Sequence, residues 1–362
     1  MAVGYGWITM KHFTPTTIVE PSIKIRRQRL LPTVGEVSVR IGQEVSPVQV
    51  VARTPRTTRF RILPLGEWLK MSPEGVAESL LVTPGQRIEM GSPLIRYRRM
   101  LRTEEVTSPV NGVVFAVQNG RLILQEQSDW LEMRAMVRGR VAGLVPNRGV
   151  ELEINGAVAQ GRWGSGKTSV GRLLVLANSP DETFLPSQLG ADVSGRIIAV
   201  GIIDEEQPIR RAEDAGVRAI IAASMPSHLR ETAVNCTMPI LLTEGWGRLP
   251  MNERIYQLLL TKNEEETTVF AHPQDHFGQR PEIIIPSSEP PKANFADIRK
   301  PLAIGQPVRL TRAPYQGQIG EVVQIFQLSK GTSVGIKAPG ADVVLANGQR
   351  VFVPLANLDA II

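Results

Sequence analysis

Apolar and polar positions change period along this chain. From Val34 to Gln127, short stretches alternate apolar with polar residues and are broken every few positions by Gly or Pro, the mark of an all-β unit. Residues 131–160 stay strand-like. Gly195–Ile203 then runs almost unbroken apolar, as a strand covered on both faces does. After it the periods take turns. Pro208 opens a helix that ends at Gly216, Val217–Ala222 reads as a strand, Pro226–Cys236 as a helix, Pro239–Thr243 as a strand and Asn252–Leu260 as a helix. Such a series predicts parallel strands joined by right-handed crossovers. Residues 271–299, rich in Pro and Ser, read as a linker, and short alternating strands return from 300 onward. The expected organisation is a multidomain, β-rich chain. It has an N-terminal arm (1–33), an all-β unit (34–128), an α/β unit (129–270), a linker (271–299) and a small β unit (300–362).

The all-β stretch holds an internal repeat. Val39-Arg-Ile-Gly42-Gln-Glu-Val45 matches Val82-Thr-Pro-Gly85-Gln-Arg-Ile88 in type and spacing, each copy a strand, a tight Gly turn and a second strand. The second copy continues through Gly91-Ser-Pro-Leu94 to Thr107-Ser-Pro-Val-Asn-Gly-Val-Val114. These residues resemble the barrel-sandwich hybrid fold of biotinyl and lipoyl carrier domains and their unmodified relatives. A carrier needs a lysine on the hairpin between the two strings, yet no lysine lies between Lys70 and Lys167. The hairpin instead carries Arg99-Met-Leu-Arg102, after the strand Arg96-Tyr-Arg98-Arg99. The resemblance therefore implies a structural or docking module, with Arg96, Arg98 and Arg99 as candidate partner contacts.

Arg211-Ala-Glu-Asp-Ala-Gly-Val-Arg-Ala-Ile-Ile221 resembles a segment of swivelling β/β/α domains, a group that includes phosphohistidine carriers. His228 sits inside an expected helix without the flanking Thr and Ser of those carriers, which points to a packing or solvent-facing role.

Pro307-Val-Arg-Leu-Thr-Arg-Ala-Pro-Tyr-Gln-Gly-Gln-Ile-Gly-Glu-Val-Val323 resembles a KOW motif in an SH3-like small barrel. Gly317 suits a turn that requires positive φ, and Asn347-Gly348 suits a two-residue hairpin turn. KOW modules occur in transcription elongation factors and large-subunit ribosomal proteins. The resemblance implies contact with RNA, a ribonucleoprotein or a transcription complex, and otherwise with a protein partner. Arg309, Arg312, Tyr315 and Lys330 are the expected contact residues, since a basic loop with one aromatic suits stacking plus phosphate contact.

Composition narrows the chemistry. The chain has 362 residues, 41 Lys+Arg against 35 Asp+Glu, and four histidines. Its single cysteine, Cys236, excludes an internal disulfide and a Cys-rich zinc site. His272 and His276 are spaced i, i+4, but Pro273 lies between them and no Cys is near. No metal or cofactor is expected. The absence of a long apolar run predicts a soluble, cytoplasmic chain without membrane insertion. Charge is uneven: residues 1–150 carry a net +9, residues 204–297 a net −6 and residues 299–362 a net +4. A basic run, Lys24-Ile-Arg-Arg-Gln-Arg29, ends the N-terminal segment and reads as a lead-in arm, an edge strand or a phosphate-contacting arm.

One motif competes with the binding reading. Gly161-Arg-Trp-Gly-Ser-Gly166-Lys167-Thr168 satisfies the GxxxxGK[ST] pattern, in which backbone N–H groups cradle phosphates, Lys167 neutralises them and Thr168 holds Mg²⁺. Asp204, after the apolar run, would complete such a site. The motif needs a buried strand before it and a helix after it. The flanks read instead as strands joined by a Gly-rich hairpin. The sequence therefore favours a non-enzymatic binding or scaffold protein and keeps a nucleotide-binding protein or NTPase as the alternative. Whether residues 168–177 are helix or strand separates the two.

Overall fold

The computed structural model describes residues 12–55, 59–99, 102–126, 130–274, 279–296, 300–332 and 335–362, with only the backbone for Arg99 and Arg102. Residues 1–11 of the expected arm and His276 lie outside these residues. Among the described residues, no helix is long and apolar enough to cross a membrane.

Strand β1 (Val19–Leu30) contains the basic run and pairs antiparallel along a later strand, with Arg29 opposite Val150 and Ile23 opposite Gly156. Strand β2 (Val50–Pro55) follows the first repeat copy. The second copy precedes the hairpin of β3 (Pro93–Arg99) and β4 (Arg102–Thr107), and β5 (Gly112–Gln118) then returns beside it. Next come β6 (Trp130–Arg134) and β7 (Gly139–Val145). The decisive pairing is β2 with β6, Pro55 opposite Trp130 and Thr54 opposite Leu131. Everything between them is thus inserted into one hairpin.

The two repeat copies carry the same backbone bonds. In the first, Gly42 N–H donates to Val141 O at 2.8 Å and Val141 N–H to Gln43 O at 2.8 Å. In the second, Gly85 N–H donates to Val114 O at 2.8 Å and Val114 N–H to Gln86 O at 2.9 Å. Both glycines are left-handed, with φ of 85° and 87°, which a residue with a Cβ adopts only under strain. Even the side-chain lock repeats: Gln43 Oε1 accepts from Arg40 N–H (3.1 Å) and Gln86 Oε1 from Thr83 N–H (3.0 Å). The chain therefore holds two like units, one nested in the hairpin of the other.

Their cores are separate. Leu63, Leu65, Val76, Leu94, Ile95, Leu122 and Leu124 fill the inner unit. Val39, Val45 and Val51 pack instead with Val137, Val141, Leu152 and Ile154. The expected boundary at 128 consequently divides one core, because 34–55 and 130–160 fold together. The inner unit is also not wholly β: Leu65–Leu69 and Pro73–Ser79 are short helices, the latter capped by Ser72, whose hydroxyl accepts from Gly75 N–H.

Strand β8 (Gly149–Gln160) joins this region to the next. It pairs with β1 on one side, and on the other with β7 through its first half and with a late strand through its second. Strands β9 (Thr168–Val175) and β10 (Arg196–Ile202) run parallel. Helix α1 (Glu206–Asp214) leads to β11 (Ala219–Met225), and α2 (Arg230–Asn235) leads to β12 (Ile240–Trp246), so that β9, β10, β11 and β12 lie parallel in that order. Ile209 and Ala212 of α1 and Ala233 of α2 pack on one sheet face with Ile198, Val200 and Ile220. Helix α3 (Glu253–Thr261) covers the opposite face, with Ile255, Tyr256 and Leu259 on Ile197, Ala199 and Ile221.

Strands β13 (Glu266–Phe270) and β14 (Glu282–Pro286) then return antiparallel between β9 and β8. This corrects the expected linker. Ile283, Ile284 and Ile285 are buried to within 1% of full burial, and a continuous apolar run covered on both faces is sheet interior.

The C-terminal sheet consists of β15 (Pro307–Leu310), β16 (Ile319–Ile325), β17 (Gly340–Leu345), β18 (Arg350–Pro354) and, after a 3-10 turn, β19 (Leu358–Ile361). Its order is β19-β15-β16-β17-β18, with antiparallel neighbours over a core of Val308, Val322, Val343 and Leu358. Among the described residues no pairing closes it into the expected barrel; β19 instead pairs in parallel with Thr16–Thr17.

Candidate functional site

The expected contact residues do not form one surface. Arg309, on β15, points inward and is buried beside Glu244 of β12. Its Nε lies 3.0 Å from Glu244 Oε2 and its Nη1 3.7 Å from Asp359 Oδ2. Asp359 also takes Arg280 at 3.0 Å, Arg162 at 2.7 Å and the Thr17 hydroxyl at 2.8 Å. Three arginines thus surround two buried carboxylates where the C-terminal sheet meets the α/β unit. Burial pushes the Asp359 pKa up, but Arg280, Arg162 and Arg309 outweigh it and hold the carboxyl below its ordinary value. Burial wins at Glu244, whose pKa is raised despite the pull of Arg309. Burial also lowers Arg162, against the opposing effect of Asp359. Arg309 is therefore a structural ion-pair residue, which corrects its expected place on a partner surface. No local pattern in the strand distinguishes an inward arginine, since its partners come from 65 and 50 residues away in sequence.

Arg312 is exposed and Tyr315 half-buried, both on the turn 311–318 between β15 and β16. The Tyr315 hydroxyl accepts from Gln349 Nε2 at 3.3 Å, which places the β17–β18 turn at the same end of the sheet. Lys330 lies in the connection between β16 and β17, at the opposite end of these antiparallel strands. It sits 3.4 Å from Asp342 and 4.4 Å over the Phe326 ring. Arg312 and Tyr315 are therefore brought together, and Lys330 is kept apart from them.

The arginine hairpin β3–β4 projects from the inner unit. Arg96 and Arg98 are exposed on one face, and Arg96 pairs with the cross-strand Glu105 at 2.7 Å. Arg99 is described by backbone alone. On the outer sheet face of the same unit, Phe60, Ile62 and Phe115 are exposed, with the Phe60 and Phe115 rings 4.8 Å apart edge to face.

The GxxxxGK[ST] segment is not a phosphate cradle. Four of its backbone donors are already used: Gly161 N–H bonds Pro281 O, Arg162 N–H bonds Leu242 O, Ser165 N–H bonds Ile240 O and Gly166 N–H bonds Ala271 O. Lys167 Nζ donates to the carbonyls of Val234 and Cys236, at the C-terminal end of α2. Thr168 begins β9, a strand rather than a helix, and its hydroxyl lies 2.9 Å from His272 Nε2. Asp204 pairs with Arg248 and accepts from the Thr183 hydroxyl at 3.2 Å. These bonds speak against the nucleotide alternative. The expected hairpin is absent as well, since Trp163–Gly164 pairs with β12 while β9 pairs with β10 and β13.

A cavity of about 960 Å³ opens along β1, a size within the usual range for small-molecule sites. The basic run signalled its cations in the sequence. The apolar floor was not legible, because Ile18, Val158 and Phe270 come together only when β8 pairs with β1 on one side and β14 on the other. No protein-family model matches the chain, and no curated protein matches it.

Proposed function

We propose that this chain is a non-enzymatic binding or scaffold protein that engages a ribonucleoprotein or transcription complex through its KOW-like C-terminal unit. The observation that carries the reading is the placement of exposed Arg312 and half-buried Tyr315 on one turn of a sheet whose five C-terminal strands run in the order last, first, second, third, fourth. A cation beside an aromatic suits phosphate contact plus base stacking. The nested units, read as two unmodified barrel-sandwich modules, support the scaffold role by adding an outward arginine hairpin.

The test is anisotropy of a labelled single-stranded RNA titrated with the protein at several salt concentrations. Counterion release predicts affinity falling steeply with salt, and Arg312→Ala flattening that slope by about one released ion. No binding at low salt defeats the nucleic-acid reading. A second reading, docking of a protein partner, is favoured by the exposed Phe60–Phe115 face, since exposed apolar patches mark interaction surfaces.

A further inference from the structure

The cavity along β1 combines an apolar floor with cationic walls. Ile23, Ile25, Val158 and Phe270 line its base, and Arg26, Arg27, Arg29 and Arg280 reach into it. Most of these cations are already compensated. Arg27 pairs with Glu282, Arg26 with Glu153 at 3.2 Å, and Arg280 with Asp359 at 3.0 Å.

Arg29 is different. It is half-buried, and among the described residues it pairs with no carboxylate. Its Nε donates to Arg134 O at 3.1 Å, and its guanidinium stacks over the Phe270 ring at 5.5 Å. The Nη groups therefore remain for a further acceptor. Its charge reaches His272 on the rim, whose pKa is lowered by burial and then by Arg29. A desolvated, uncompensated guanidinium beside an apolar floor is costly unless something balances it.

We propose that this cavity binds an amphipathic monoanion, its acidic head on Arg29 and its apolar body against Ile23, Ile25 and Phe270. Arg29 is the arginine of this wall without a carboxylate partner among the described residues, while Lys24 and Arg26 share Glu153. The carboxylate of Glu151 also lines the cavity, which favours a singly charged carboxylate or sulfonate head over a polyphosphate. The stacked ring holds the guanidinium in place before the ligand arrives, so little side-chain order is lost on binding.

The experiment uses the whole chain and the fluorescent probe 8-anilinonaphthalene-1-sulfonate, displaced by decanoate, decanol or decylamine. The expected result is one probe per chain, displaced by decanoate at least about tenfold more effectively than by decanol or decylamine. Arg29→Gln weakens the probe at least about tenfold, while Arg121→Ala, at an exposed arginine far along the chain from the cavity lining, leaves it unchanged. Thermal melts confirm that each variant is folded. Equal displacement by decanoate and decanol overturns the proposal, as does a folded Arg29→Gln protein that binds the probe as wild type does. If Arg29→Gln does not fold, the three wild-type displacements decide the matter alone.

Discussion

Arg309 Nε lies 3.0 Å from Glu244 Oε2, with both side chains at 3% exposure or less. The contact joins β15 of the C-terminal sheet to β12 of the α/β unit. Glu244 Oε1 in turn accepts from Asn252 N–H at 2.9 Å, at the residue that caps α3. The ion pair therefore also fixes where that helix begins.

Removing Arg309 leaves two buried carboxylates short of a cation. Arg309→Ala is expected to cost about 3–5 kcal/mol, the usual penalty for breaking one half of a buried pair. Arg312→Ala, on the exposed turn, should stay within about 0.5 kcal/mol. Denaturant midpoints of the two variants check the contrast, and equal midpoints would contradict the burial of Arg309.

The same cluster sets a pH dependence with two limbs. The folded-state pKa of Asp359 lies below its ordinary value of 3.8, so its stabilisation is in place above about pH 4 and is lost as pH falls through the folded value. Glu244 has the opposite sign. Its pKa is raised above 4.5, so the folded state takes up its proton first and is favoured as pH falls through that raised value. Stability measured against pH should therefore lose its upper limb in Glu244→Gln and its acid limb in Asp359→Asn.

The nested units should respond alike at their turns. Gly42→Ala and Gly85→Ala each force a Cβ into the left-handed region, at a cost of about 1–2 kcal/mol. The Gly42 Cβ would meet only the Arg140 side chain, at 3.4 Å, and the Gly85 Cβ nothing within 4 Å, so backbone strain sets the cost. Denaturant titration should give similar losses for both variants.

Lys167 closes carbonyls at the end of α2 instead of phosphates. Lys167→Ala should cost about 0.3–1 kcal/mol, as for a cation removed from a helix C-terminus. Magnesium and ATP should leave the melting temperature of wild type and variant unchanged. A rise in wild type alone would restore the phosphate-cradle reading.

Legibility in the sequence followed the range of the interactions. The parallel strands and their helices were readable because apolar runs and helix stops such as Gly216 act within a few residues. The repeat was readable for the same reason, since Gly42 and Gly85 mark turns by themselves. What escaped depends on distant partners. Glu282–Pro286 looked like part of a Pro-rich linker, and only its seat between β8 and β13 explains three consecutive isoleucines. Likewise Arg309 reads as a surface cation until Glu244 and Asp359 stand next to it. Arg29 was legible as charge, but its stacking on Phe270 was not.

The pairing of Pro55 with Trp130 makes the inner unit a cassette, because its entry and exit lie side by side on adjacent strands. Replacing 56–129 by a two-residue turn should leave the outer core of Val45, Val51, Val141 and Leu152 intact. A cut at 128 would instead strand half of that core. The chain is thus divisible by excision from within but not by trimming at that point, the reverse of what its linear order suggests.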